Sequence, residues 1–212
     1  MLESLRESET LLREVHHRVK NNLQVLASLL AMQTDATSDA FVKRALSDAA
    51  LRISTIAMIH GQLCEAPIGA SVDMRVFVQE LVANLRRTLT DSKTGIATRL
   101  SLEPLTLPLH LATHCGLLIS ELVTNAFQHA FVQVPNGVVD IGLSRRGRDV
   151  ILTVRDNGVG LPREADRADT KGIGMRLVRL LATRQLRGQL SISRQNGTRV
   201  TVRFSSSGTR ND

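Results

Sequence analysis

Glu121 and Asn125, in the stretch ELVTNAFQHAF, stand four residues apart, which places both on one face of a helix. An asparagine there offers a neutral oxygen ligand to Mg2+, and a carboxylate one turn earlier can order a water or act as a base. Asp156 opens DNGVGLP. A carboxylate at a strand end can accept a hydrogen bond from an exocyclic amine such as that of adenine, while Gly158 and Gly160 let the backbone approach a flat ring and take up positive φ. Further on, Lys171, Gly172 and Gly174 open a helical pattern in KGIGMRLV. Bare N–H groups at a helix N-terminus favour phosphate, and the lysine adds charge. Gly197 and Thr198 sit at a turn in NGTRVTVRF. Each feature also has a plain structural reading: a solvated helix face, a DNG turn, a hairpin. The glycine pair lacks the G-x-x-x-x-G-K-[ST] of a P-loop and the strand-borne G-x-G-x-x-G of a dinucleotide fold, so both of those are excluded.

A second polar constellation is EVHHRVKNNLQ at 14–24. Alone, it reads as a histidine packed at the edge of a solvated amphipathic helix.

The elements that must position these groups fall into two regions. In the first, Leu5, Leu12, Val15, Val19, Asn22, Leu26 and Leu29 follow alternating three- and four-residue steps, with Ser8 in the gap, a heptad seam with one Asn in it. After TDATSD, Val42, Leu46, Ala49, Ile53, Ile56, His60 and Leu63 form a second seam, with Asp39 placed as its N-cap. Two long helices with a short loop make an antiparallel hairpin over 1–66. Pairing of two copies into a four-helix bundle would complete its core; packing on the chain's own second region is the alternative. EAPIGAS (65–71) reads as a linker. Over 72–206 the pattern predicts a helix at 72–90, an extended segment at 95–102 and a helix at 108–131 with Pro108 near its start. Strands follow at 138–144 and 149–156, separated by RRGR, then a polar stretch at 157–174 and a helix at 174–186. QLSISR and TRVTVRF close the chain as two strands about a QNG turn. The fold class is α+β: a helical hairpin followed by a helix-on-sheet sandwich with a mostly antiparallel sheet.

Composition narrows the functions available. Aromatics are 2% of 212 residues, with no Trp or Tyr, which argues against the base-stacking platforms of single-stranded nucleic-acid binders. The net charge of +7 suits a nucleoside triphosphate or an acidic protein surface as well as nucleic acid. Cys64 and Cys115 have no CxxC or CxxH context, so neither a zinc site nor a disulfide framework is indicated. No run of about 18 apolar residues and no apolar signal core is present, and a cytoplasmic protein without a membrane segment is expected.

In order and spacing, the Asn-bearing helix, the DxGxG after a strand, the GxG opening a helix and the terminal GT hairpin resemble the N, G1, G2 and G3 boxes of the GHKL ATP-binding fold, over roughly 72–205. HHRVKNNLQ resembles the phosphoacceptor helix of sensor histidine kinases of the HRVKN-type subgroup, related to the HWE kinases. The joint resemblance covers about 10–205. It implies a dimerisation and phosphotransfer hairpin followed by a catalytic domain that takes ATP and Mg2+, with Asn125 the metal ligand. Asp156, Gly158, Gly160, Lys171, Gly172, Gly174, Thr198 and His129 are the expected nucleotide-binding residues. A homodimer and the receiver domain of a response regulator are the expected partners. No segment reads as a sensor before the hairpin or a receiver after it, so the chain stands as a sensorless kinase under another protein's control or as a piece of a longer one.

A helical wheel separates the two histidines. With the seam centred near Val19 and about 100° per residue, His16 lies about 60° away and His17 about 160° away. His17 therefore faces out, beside Glu14 and Asn21, and is the expected acceptor; the subgroup's motif, in which the reactive histidine precedes Arg-Val-Lys-Asn, points the same way. Related helices place an acid just after that histidine, where this chain has Arg18, leaving Glu14 as the candidate to orient the ring. Arg18 and Lys20 could neutralise phosphate or be solvated cations. By resemblance Asn21 would orient water for dephosphorylating the partner regulator, and Glu121 would act at the catalytic centre. The N-box has Gln128 where a Lys or Arg is usual; His129 would substitute in part. The G1–G2 interval is short, and His60, His110 and His114 read as structural. Two other assignments compete: a phosphotransfer or phosphatase module with weak kinase activity, and another GHKL ATPase or anti-sigma kinase.

Overall fold

In this computed structural model, residues 2–64, 71–89, 95–132, 134, 136–161 and 173–206 are described. The chain divides into two compact units, Met1–Ala70 and Ser71–Asp212. The first is a helical hairpin of α1 (Leu2–Ala36) and α2 (Ala40–Cys64). Residues 37–39 connect them, and Asp39 caps α2: its Oδ1 accepts the backbone N–H groups of Phe41 at 2.8 Å and Val42 at 3.2 Å. Along α1 the seam residues Val15, Val19, Leu26 and Leu29 are 37 to 53% exposed. The hairpin by itself therefore leaves this apolar stripe in solvent.

The second unit is a two-layer α+β sandwich. β1 (Ser71–Asp73) pairs antiparallel with β3 (Thr106–Pro108) and leads directly into α3 (Met74–Leu89). The helix predicted over 72–90 thus starts later, because Val72 pairs with Leu107 and Asp73 Oδ1 caps the N–H groups of Arg75 and Val76. α4 (Leu109–Asn125) follows Pro108, whose φ of −54° and ψ of 147° place it just outside the helix. The helix predicted to continue to 131 instead widens into a π-helical turn over Ala126–Ala130. β4 (Val138–Arg146) and β5 (Asp149–Asp156) form a hairpin whose turn is Gly147–Arg148. Arg145 and Arg146, expected in the turn, still pair with Val150 and Asp149. α5 (Ile173–Leu180) likewise passes into a π-helical turn, Leu181–Gln185. β6 (Gln189–Ser193) and β7 (Arg199–Ser205) complete the unit.

With β2 (Ala97–Leu102), the strands run β2-β4-β5-β7-β6. β2 is parallel to β4, and the other pairs are antiparallel. Register stacks Ile141, Val154 and Val200 in one row and Leu143, Leu152 and Val202 in the next. These residues, with Val139, Val150 and Phe204, are buried, whereas Asp140, Gly142, Thr153, Thr201 and Arg203 between them are not. The period-2 alternation thus gives the sheet one buried face. Met74, Val78, Leu81, Leu111, Leu118, Ile119 and Val178 supply the aliphatic helical side of the core.

His114, on α4, has a buried Nδ1 with no hydrogen-bond partner among the described residues. Burial, and secondarily the charge of His110, lower its pKa from the ordinary 6.5. Unfolded chains take up this proton near 6.5 while the folded protein resists it, so stability falls as pH drops through that value and is unaffected above it. The urea midpoint is expected to fall between about pH 7.5 and 5.5, and to fall less in His114→Leu; equal slopes in both proteins would contradict this.

Candidate functional site

The alternation of β5 carries an acid onto the buried face. Val150, Leu152 and Val154 point inward, and the next inward position is Asp156, 7% exposed. A carboxylate placed there must be hydrogen-bonded. Its Oδ1 accepts the N–H groups of Gly158 at 2.9 Å and Thr198 at 3.1 Å. Asp156 N–H donates to the Thr198 carbonyl at 2.9 Å, locking the strand end to the β6–β7 turn. Oδ1 is thereby committed to the backbone, and the other carboxylate oxygen is the one that can take a further donor.

The close approach depends on glycine. A Cβ at Gly197, where φ is 99°, would lie 2.1 Å from the Asp156 carbonyl oxygen. At Gly158 it would lie 2.2 Å from the carbonyl oxygen of Ala130. That same carbonyl accepts the N–H of Val159 at 2.9 Å, so the loop after β5 is pinned to the π-helical turn that ends α4. Asn157 closes the other side: its Oδ1 accepts the N–H of Val138 at 2.7 Å at the start of β4. Gly160 has φ of 77° and lies beside Gly197.

Glu121 and Asn125 occupy the last turns of α4, the first buried and the second half-buried. Asn125 Nδ2 donates to the Met175 sulfur of α5 at 4.0 Å. Gly174 is buried in the first turn of α5 and Thr198 is half-buried, while Lys171 and Gly172 lie outside the described residues. His129 is exposed on the π-helical turn. The structure therefore brings Glu121, Asn125, Asp156, Gly158, Gly160, Gly174 and Thr198 into one unit. Sequence reasoning missed the Ala130 carbonyl, Asn157 and Met175. The Asn of the DNG turn carried a signal for the second, but no local pattern announces the other two.

In the hairpin unit His16 and His17 lie within α1, and their side chains are outside the described residues. Glu14 is bound by Arg18, whose Nη2 donates to Glu14 Oε1 at 2.5 Å, and both are exposed. Asn21 is exposed and Lys20 half-buried. Cys115 is fully buried and burial pushes its thiol pKa up, which leaves it without nucleophilic character. Among the described residues, no group of three or more His, Cys, Asp or Glu could hold a metal, and no helix is long and apolar enough to cross a membrane.

Comparison with known proteins follows this geometry. Residues 14–89 match a family described as histidine kinase, and residues 111–207 match the histidine kinase-, DNA gyrase B-, and HSP90-like ATPase family. The sensor histidine kinase PdtaS of Mycobacterium tuberculosis is 33% identical over 213 residues, covering 94% of this chain and 40% of that protein. Blue-light-activated histidine kinase 2 of Erythrobacter litoralis is 28% identical, covering 92% of this chain and 57% of its own length. The chain thus spans about half the length of these curated relatives. The solved structure of the Erythrobacter litoralis EL346 blue-light activated histidine kinase aligns with a TM-score of 0.70 at 26% identity, over 93% of this chain and 59% of that one.

The Gly158–Ala130 contact supplies a test. Gly158→Ala is expected to abolish detectable binding of an adenine nucleotide and to destabilise the fold by about 1–3 kcal/mol through overpacking. Titration calorimetry and urea unfolding would measure both, and unchanged affinity would contradict the placement of the site.

Proposed function

Because the chain belongs to the histidine kinases, we propose that it phosphorylates His17 from ATP and passes the phosphoryl group to an aspartate of a response-regulator receiver domain. The observation that carries this reading is the buried, backbone-clamped carboxylate of Asp156, beside glycines whose lack of a Cβ lets the loop close on Ala130 and on the β6–β7 turn. A carboxylate with one oxygen spent on the backbone presents the other to the exocyclic amine of adenine. Gly158 and Gly160 hold the loop close against neighbouring backbone beside that carboxylate, where a flat ring would lie. The triphosphate then extends toward the N-terminal end of α5, where Gly174 and, by motif, Gly172 and Lys171 serve it. Thr198 and His129 line the same nucleotide site. Asn125 Oδ1 would offer Mg2+ a neutral oxygen ligand, and the ion would supply charge neutralisation at the phosphates.

The chain's own groups do the rest. A neutral ring nitrogen of His17 attacks the γ-phosphorus in line; an N–P bond forms as the P–O bond to ADP breaks, and the proton on the other ring nitrogen leaves to solvent. Glu121, one turn before Asn125, acts as base or orders water at the catalytic centre. Glu14 is the carboxylate available to orient His17, and it does so while shared with Arg18. Asn21, one turn after His17, positions a water for dephosphorylating the regulator. Lys20 and Arg18 add positive charge to this face.

The exposed stripe of Val15, Val19, Leu26 and Leu29 supports homodimerisation, since a second copy would cover it. Leu26→Glu is expected to shift the protein from dimer to monomer in analytical ultracentrifugation; an unchanged mass would exclude this face as the interface. For the chemistry, wild type, His17→Ala and His16→Ala are incubated with γ-labelled ATP. The expected label is acid-labile, absent in His17→Ala and retained in His16→Ala. Acid-stable label, or full labelling of His17→Ala, would refute the proposal.

A further inference from the structure

We propose that Met175 is a positioning residue for Asn125: its thioether receives the amide N–H and thereby turns the amide oxygen toward the metal-bearing phosphates. The inference rests on the reading of Asn125 as the metal ligand. A primary amide has one acceptor end and one donor end, and only the oxygen can ligate a hard dication. Nothing in a bare asparagine side chain decides which end is offered. A thioether sulfur accepts but cannot donate. The contact of Asn125 Nδ2 with Met175 Sδ at 4.0 Å is therefore compatible with one orientation of the amide, with Oδ1 on the side away from α5.

The surroundings make this selection usable. Asn125 is the last residue of α4, where the chain departs into the π-helical turn. Met175 sits in the first turn of α5, directly after the buried Gly174. Both side chains are half-buried, so the weak S···H–N contact meets less competition from water than it would on an open surface. Leucine would fill the same volume, and it offers the amide no acceptor.

Met175→Leu is the test, because a volume-conserving change of this kind keeps the fold. Two measurements are made: the side-chain NH2 resonances of Asn125 in the nucleotide-free protein, and the affinity for a non-hydrolysable ATP analogue with and without Mg2+. The expected result is a moved NH2 pair and a Mg2+ requirement weakened roughly two- to fivefold, the range of one weak hydrogen bond. Affinity for the metal-free nucleotide stays unchanged. Unmoved NH2 resonances would overturn the inference, and so would moved resonances with an unaltered Mg2+ requirement. Asn125→Ala tells the two levels apart. If it leaves the Mg2+ requirement intact while Met175→Leu still moves the NH2 pair, Asn125 as ligand is wrong, and the role given to Met175 falls with it.

Discussion

A carboxylate at the last inward position of β5 is the constraint around which the second unit is arranged. The pleat that buries Val150, Leu152 and Val154 brings Asp156 to the same face. A buried carboxylate is costly unless donors reach it. The nearest donors are backbone N–H groups from two different segments, Gly158 in the loop after β5 and Thr198 in the β6–β7 turn. Bringing both within about 3 Å requires the turn to press onto the strand end, which is why Gly197 has no room for a Cβ. The order of β5, β7 and β6 in the sheet is what makes that approach possible.

The π-helical turn after α4 extends the same logic to the helical layer. The carbonyl of Ala130, at the end of the π-helical turn Ala126–Ala130, receives Val159 N–H, and the loop with Gly158 closes against it. Such turns recur at functional sites. Here the effect is to couple Glu121 and Asn125 to the Asp156 loop through the backbone. The end of the site around Asp156 is consequently rigid. At its other end, the Asn125 side chain makes one weak hydrogen bond among the described residues, to Met175.

In the hairpin unit the balance is different. α1 exposes an aliphatic stripe and, on its polar side, an ion pair between Glu14 and Arg18 that is open to solvent. An exposed pair of this kind contributes little to stability. It matters more for what it leaves available: with Arg18 tied to Glu14, the cations of the HRVKN segment are no longer equivalent, and Lys20 is the one outside that pair.

Much of the architecture was legible in one dimension. The alternation of strands β4, β5 and β7, the Asp39 cap and the two long helices follow from local period and local capping chemistry, which act within a few residues. Asp156, Gly158 and the Glu121–Asn125 spacing were readable for the same reason. The parallel pairing of β2 with β4, the short β1–β3 pair that delays α3, and the π-helical ends of α4 and α5 were not. The first two depend on partners distant in the chain, and no local pattern encodes a pairing across such gaps. The sequence alone determined which residue types stand at the spacings a nucleotide site would need, and that His16 and His17 belong to one long helix. Only the tertiary structure decided that the Ala130 carbonyl closes the site, that Thr198 serves Asp156 through its backbone and that Met175 meets Asn125, because those contacts exist only once separate segments are packed together.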